Sequence, residues 1–185
     1  MKSFPQLKLL CGVLSFILCA SCVKDVDFDQ ADEIIISPKV DLDLVFFELD
    51  TENFVTAETG EAISVIRDTT RLEFLDDGFV RDNLLQIDFV FRYDNSFSQT
   101  FEHSALFLNE EDEVQYEVTF DVAASSDGIA NTTIYTQTVA EHDLDAIRNS
   151  IKMLIELTLQ PNGEPIIGEM RHQSKAVYSL EFAEL

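Results

Sequence analysis

Three histidines, a run of alternating aspartates and three cysteines are the residues of this chain best equipped for chemistry. His103, His142 and His172 lie far apart in sequence, with no His-Glu-x-x-His pair to seat a catalytic zinc. His142, within Glu141-His142-Asp143 at the start of a candidate helix, reads as a surface or capping residue. His103 shares the parity of Phe101 and Phe107 and reads as a core histidine with satisfied polar atoms. Asp25-x-Asp27-x-Asp29 has the opening spacing of a calcium loop, whose hard cation takes oxygen ligands. The remainder does not fit: Gln30 stands where the sharp turn needs glycine, and Ile36 where the bidentate glutamate belongs. Asp41 and Asp43 share one face of a strand, and Glu110, Glu111, Asp112 and Glu113 crowd a turn. Both groups read as exposed surface, so neither a metal nor a cofactor is expected. There is no Gly-x-Ser-x-Gly elbow and, with six glycines in all, no phosphate loop. With 35 acidic residues, any pair of carboxylates at glycosidase spacing carries almost no information. Tryptophan platforms for sugars are absent, and the fifteen phenylalanines mostly follow the buried parity of strands.

The elements that would position these residues are strands. Val114, Tyr116, Val118, Phe120 and Val122 alternate with polar residues, the pattern of a strand with one buried and one wet face. The same holds for Leu85 to Tyr93, for Ile151 to Leu159, and for Ala176 to Phe182. Val40, Leu42, Leu44 and Phe46 begin another strand, whose phase then slips to Phe47 and Leu49 and predicts a bulge or a crossing between sheets. Turn chemistry falls at Pro161-Asn162-Gly163-Glu164-Pro165, Asp76-Asp77-Gly78, Asn109 to Asp112 and Ser125 to Gly128. Asp68-Thr69-Thr70 reads as a polar loop. One short helix is expected within Ala140 to Ser150, as a connector. The predicted fold is all-β: an antiparallel β-sandwich of seven to nine strands, immunoglobulin-like or a related Greek key, with a closed barrel as the alternative.

Lys2 and Lys8, the apolar stretch Leu9 to Leu18, and the small residues Ala20 and Ser21 before Cys22 have the three-part layout of a secretory signal. The stretch is shorter than the roughly 20 apolar residues that span a bilayer. A signal cleaved without lipidation and a membrane anchor are the other readings. Ile17-Leu18-Cys19-Ala20-Ser21-Cys22 resembles the lipobox of bacterial lipoproteins, with Cys19 where leucine is most usual. The resemblance implies cleavage before Cys22, a diacylglyceryl thioether on its sulfur and acylation of its new amino group. Several acyl chains hold where one holds only marginally. Cys11 and Cys19 leave with residues 1–21, so Cys22 becomes the sole cysteine and no disulfide can form.

Residues 22–33 then form a lipidated cysteine and acidic tether, and 34–185 the sandwich domain. Lys24, Asp25 and Asp27 resemble the acidic patch that directs some lipoproteins to the outer face of the outer membrane. Val23, in place of aspartate directly after the cysteine, favours the outer membrane. The net charge of −23 disfavours nucleic acid and anionic membrane surfaces. The chain as a whole resembles the small acidic β-rich lipoproteins of Gram-negative outer membranes. That implies a membrane partner through the anchor at Cys22, on the periplasmic or cell-surface side, and a non-enzymatic role in binding an envelope protein or in envelope assembly. The alternative is a glycan-active enzyme or small-ligand binder, with its site on loops near residues 76–83, 94–100 and 124–132.

Overall fold

In the computed structural model, residues 35–183 are described, apart from residues 57 and 60 and the side chains of residues 35, 76 and 183. Ten strands follow in chain order. β1 is Ile35–Ile36, β2 Lys39–Asp50, β3 Val65–Arg71, β4 Leu84–Asn95 and β5 Thr100–Leu108. β6 is Val114–Val122, β7 Asn131–Thr138, β8 Lys152–Gln160, β9 Glu169–Leu180 and β10 Phe182–Ala183. β1 pairs with β10, and the other eight form two four-stranded sheets ordered β2-β9-β4-β7 and β3-β8-β5-β6. All their pairings are antiparallel.

The chain changes sheet at every connection from β2 to β9 except the β5–β6 hairpin. Two Greek keys interleaved in this way make a jelly roll. The strand order thus realises the related Greek key, and the two sheets do not close into a barrel. Central strands bury every second residue. In β9, Met170, His172, Ser174, Ala176, Tyr178 and Leu180 all face inward. The edge strands β3 and β7 bury no residue fully, which suits an edge that must stay soluble.

The slip expected in β2 is a bulge, and it falls at Leu44–Val45, between the paired residues Asp43 and Phe46. Val45 turns inward while Phe46 stands 61% exposed. The ladder hydrogen bonds lost there are replaced by one side chain. Val45 N donates to Ser174 Oγ at 3.2 Å, and that hydroxyl donates back to Val45 O at 3.4 Å. A second shift between Leu84 and Gln86 turns Leu85 outward, against the inward parity expected for it.

The connector before β8 is a 3-10 turn, Glu141–Asp143, continued by the helix Leu144–Arg148, which buries Leu144 and Ile147. Asp76-Asp77-Gly78, expected as a turn, instead opens a second five-residue helix, Gly78–Asp82. Asp77 caps it by accepting from Phe79 N at 2.8 Å and Val80 N at 3.4 Å. Asp68, Thr69 and Thr70 lie within β3, not in a loop. Arg148 joins the two helices to the sheet, donating to Arg81 O at 3.1 Å, Leu84 O at 2.6 Å and Asp145 Oδ1 at 2.8 Å. Arg148→Ala leaves two carbonyls without this cation and is expected to cost about 1–2 kcal/mol, read from urea midpoints.

Candidate functional site

Cys22, Lys24, Asp25 and Asp27 lie outside the described residues, as does Asp29. Two of the three histidines, far apart in sequence, meet between the sheets. Tyr93 on β4, His103 on β5 and His172 on β9 are each fully buried. Tyr93 Oη lies 2.8 Å from His103 Nδ1. The two imidazoles are 6.0 Å apart, and His172 packs on Tyr93 at 4.3 Å and Phe47 at 4.7 Å. His103 packs on Phe120 at 4.5 Å and Phe91 at 4.8 Å. His103 Nε2 and both His172 nitrogens are enclosed with no well-formed hydrogen bond among the described residues. Burial, reinforced by His172, lowers the His103 pKa to about 3. Burial also takes His172 to about 3, outweighing the Arg92 backbone, which favours its proton. Burial raises the Tyr93 hydroxyl well above 10. All three groups are therefore neutral at pH 7, and none reaches solvent. His103 is the expected core residue, with one ring nitrogen satisfied. His142 is exposed, 3.3 Å from the Asp143 carboxylate.

The accessible features lie on the outer face of the β2-β9-β4-β7 sheet and at one end of it. In register across that face run Phe46, Gln173, Arg92 and Ile134, followed by Glu48, Arg171, Asp94 and Thr132. Arg171 pairs with Glu48 at 2.9 Å, Arg92 with Asp94 at 2.9 Å and Lys175 with Asp41 at 2.8 Å. The Arg92 and Thr132 hydrogen bonds hold the Asp94 carboxyl below the ordinary carboxylate range. Beside the β2 bulge, Phe46, Val90, Arg92, Gln173 and Lys175 line an open groove of about 560 Å³. A second open groove, of about 820 Å³, lies where β2 ends and β9 begins. Glu48, Asp50, Asp94, Glu169, Arg171 and Ile167 are among its walls.

The loops around this second groove are tied to one another. Asn95, fully buried, donates to Gln99 O at 3.1 Å and Ala123 O at 2.9 Å and accepts from Phe97 N at 2.9 Å. Gln99 reaches Asn162 Oδ1 at 3.1 Å and Glu164 O at 3.0 Å. Loops 94–100, 124–132 and 161–168 thus share the end of the sandwich we call distal, while residues 76–83 lie at the other. At the distal end Ile129 and Ile167 stand 72% and 70% exposed. The acidic turn Glu110 to Glu113 is exposed, and its Asp112 pairs with Lys152. Among the described residues no three His, Cys, Asp or Glu side chains are grouped to hold a metal.

No protein-family model matches the chain, and no curated protein does. Among solved structures, a putative secreted protein from Parabacteroides distasonis is 10% identical, with a TM-score of 0.46, over 62% of this chain and 37% of that one. The infectious bursal disease virus VP2 subviral particle is 8% identical, with a TM-score of 0.45, over 80% and 33%. The Clostridium thermocellum xylanase 10B CBM22-1–GH10 modules, complexed with xylohexaose, are 14% identical, with a TM-score of 0.34, over 75% and 25%. The chain therefore spans about a third of the length of the first of these structures, and likenesses of this order concern only the fold.

Proposed function

We propose that this chain is a lipid-anchored binding protein of the outer membrane, with Cys22 carrying the lipid and the jelly roll presenting its distal end to an envelope protein. What carries the reading is the contrast between the two sets of polar groups. Those equipped for acid–base chemistry, Tyr93, His103 and His172, are sealed between the sheets. The accessible groove is open and acidic, with the exposed Ile129 and Ile167 beside it. Apolar side chains ringed by charge are the anatomy of a protein contact, and the groove's surplus of acid, Asp50 and Glu169 beyond the pairs Glu48–Arg171 and Asp94–Arg92, favours a partner offering basic groups.

Two measurements test this. Radiolabelled palmitate is expected to enter the wild type and not Cys22→Ser; equal labelling of both removes the anchor. Capture from the native envelope is expected to retain a protein that is lost on the triple variant Ile129→Ser/Ile167→Ser/Glu169→Gln and at high salt. Retention of a polysaccharide in place of a protein moves the reading to the small-ligand alternative.

A further inference from the structure

The other end of the sandwich is also apolar, and it is the end at which β1 begins. Ile36 stands 49% exposed, Phe79 58% and Leu85 49%. Phe79 stacks on Phe182 with ring centroids 4.9 Å apart and planes 11° from parallel. Phe182 belongs to β10, the partner of β1. Leu85 follows the helix Gly78–Asp82, in the bulge that opens β4. A stacked phenylalanine pair with one ring more than half in water, at the same end as two outward aliphatic residues, is the kind of surface that marks a docking site.

We infer that this end rests on a zwitterionic lipid surface, with Phe79, Leu85 and Ile36 entering the headgroup boundary. The inference builds on the proposed lipid anchor at Cys22. Chain length favours lipid as the occupant. Thirteen residues lie between Cys22 and Ile36, and the steps joining them reach at most about 50 Å when extended, or about 20 Å for a coil of that length. An anchored chain therefore presents this end to the bilayer at a higher effective concentration than the distal one. Charge selects the lipid. Asp77, Asp82 and Glu181 accompany Arg81 around the patch on a protein of net charge −23, so an anionic surface repels it and a zwitterionic one does not.

The test supplies the anchor chemically, so that it stands apart from native lipidation. The chain from Cys22 onward is coupled through that sulfur to a maleimide phospholipid in vesicles of phosphatidylcholine and phosphatidylethanolamine. Amide hydrogen exchange is then followed at both ends of the sandwich. Exchange over residues 78–85 is expected to slow about tenfold on coupling, with no change over residues 123–130. The slowing is expected to disappear in Phe79→Ser/Leu85→Ser, to survive in Ile129→Ser/Ile167→Ser, and to shrink when phosphatidylglycerol is added. Unchanged exchange over residues 78–85 in the coupled wild type, or equal slowing at both ends, overturns the docking. Loss of palmitate labelling at Cys22 would instead overturn the native anchor and leave this measurement intact.

Discussion

Lowering the pH from 7 to 5 is expected to destabilise the domain by about 4 kcal/mol, through two histidines that cannot charge in place. His103 and His172 have folded-state pKa values of about 3, against 6.5 for the free side chain. Between those values the unfolded chain binds protons that the folded chain refuses. The neutral pair's full contribution is thus present above pH 6.5 and declines as the pH falls towards 3. Each ring loses about 1.4 kcal/mol per pH unit inside that window. The described rings packed on the pair are Phe47, Phe91, Tyr93 and Phe120, none of which offers a counter-charge. Ordinary carboxylates titrate near pH 4, so the relief of acidic self-repulsion sets in mainly below this interval. Urea midpoints at pH 7, 6 and 5 read the effect. His172→Leu should halve the slope, since it removes one of the two rings that resist protonation and leaves His103 in place. His103→Gln should do the same while keeping an acceptor for Tyr93. A wild-type midpoint that stays flat from pH 7 to 5 would mean that water reaches the rings.

Much of this fold is written in period-2 patterns, and the exceptions have physical causes. β8 and β9, central in their sheets, alternate cleanly because each has a continuous buried face. β3 and β7 do not, because they are edges: Arg67, Asp68 and Thr69 face solvent, and Val65–Arg71 therefore resembles a polar loop. Leu85 and Phe46 break parity at bulges, where one extra residue reverses every inward assignment that follows or precedes it. The β2 slip was legible because Phe47 and Leu49 are too apolar to share a wet face with Asp41 and Asp43. Its repair by Ser174 was not, since that contact joins residues 129 apart in the chain.

The buried cluster divides in the same way. Parity placed His103 inside, next to Phe101 and Phe107. It could also have found His172, because the inward series Tyr178, Ala176 and Ser174 continues to His172 and Met170. Small and polar residues at those positions hid the continuation. That the two imidazoles come within 6.0 Å depends on which strands face each other across the sandwich, and local pattern does not encode this. The distal groove was legible only as loops 94–100 and 124–132. The third wall, residues 161–168, read as a strong turn and nothing more, although it supplies Ile167 and Gly168.

Gly168→Ala is expected to cost about 3–5 kcal/mol, a large loss for a single added methyl group. Gly168 has φ +157°, a conformation that residues with a side chain rarely adopt. A Cβ there would sit 2.8 Å from Phe97 N and 2.9 Å from Phe97 Cα and Cδ1. Relief by moving Phe97 is closed off. Its ring is fully buried against Phe54 and Phe101 at 5.2 and 5.6 Å, its N–H donates to Asn95, and its carbonyl accepts from Ser125 N at 2.8 Å. Relief by moving residue 168 breaks the Gly168 N bond to Thr51 Oγ1 at 3.2 Å and strains the Glu169–Ser96 pair beside it. Strain and overpacking each contribute about 1–3 kcal/mol. Gly78→Ala is the internal control, because nothing lies within 4 Å of a Cβ built there and the residue opens a helix. It should be neutral or stabilise by up to about 1 kcal/mol. Thermal melts of the two variants should therefore move apart; equal shifts would deny the close approach of the β8–β9 loop to Phe97. Because Gly168 also lines the distal groove, the alanine variant should lose partner retention together with stability, while Gly78→Ala keeps both.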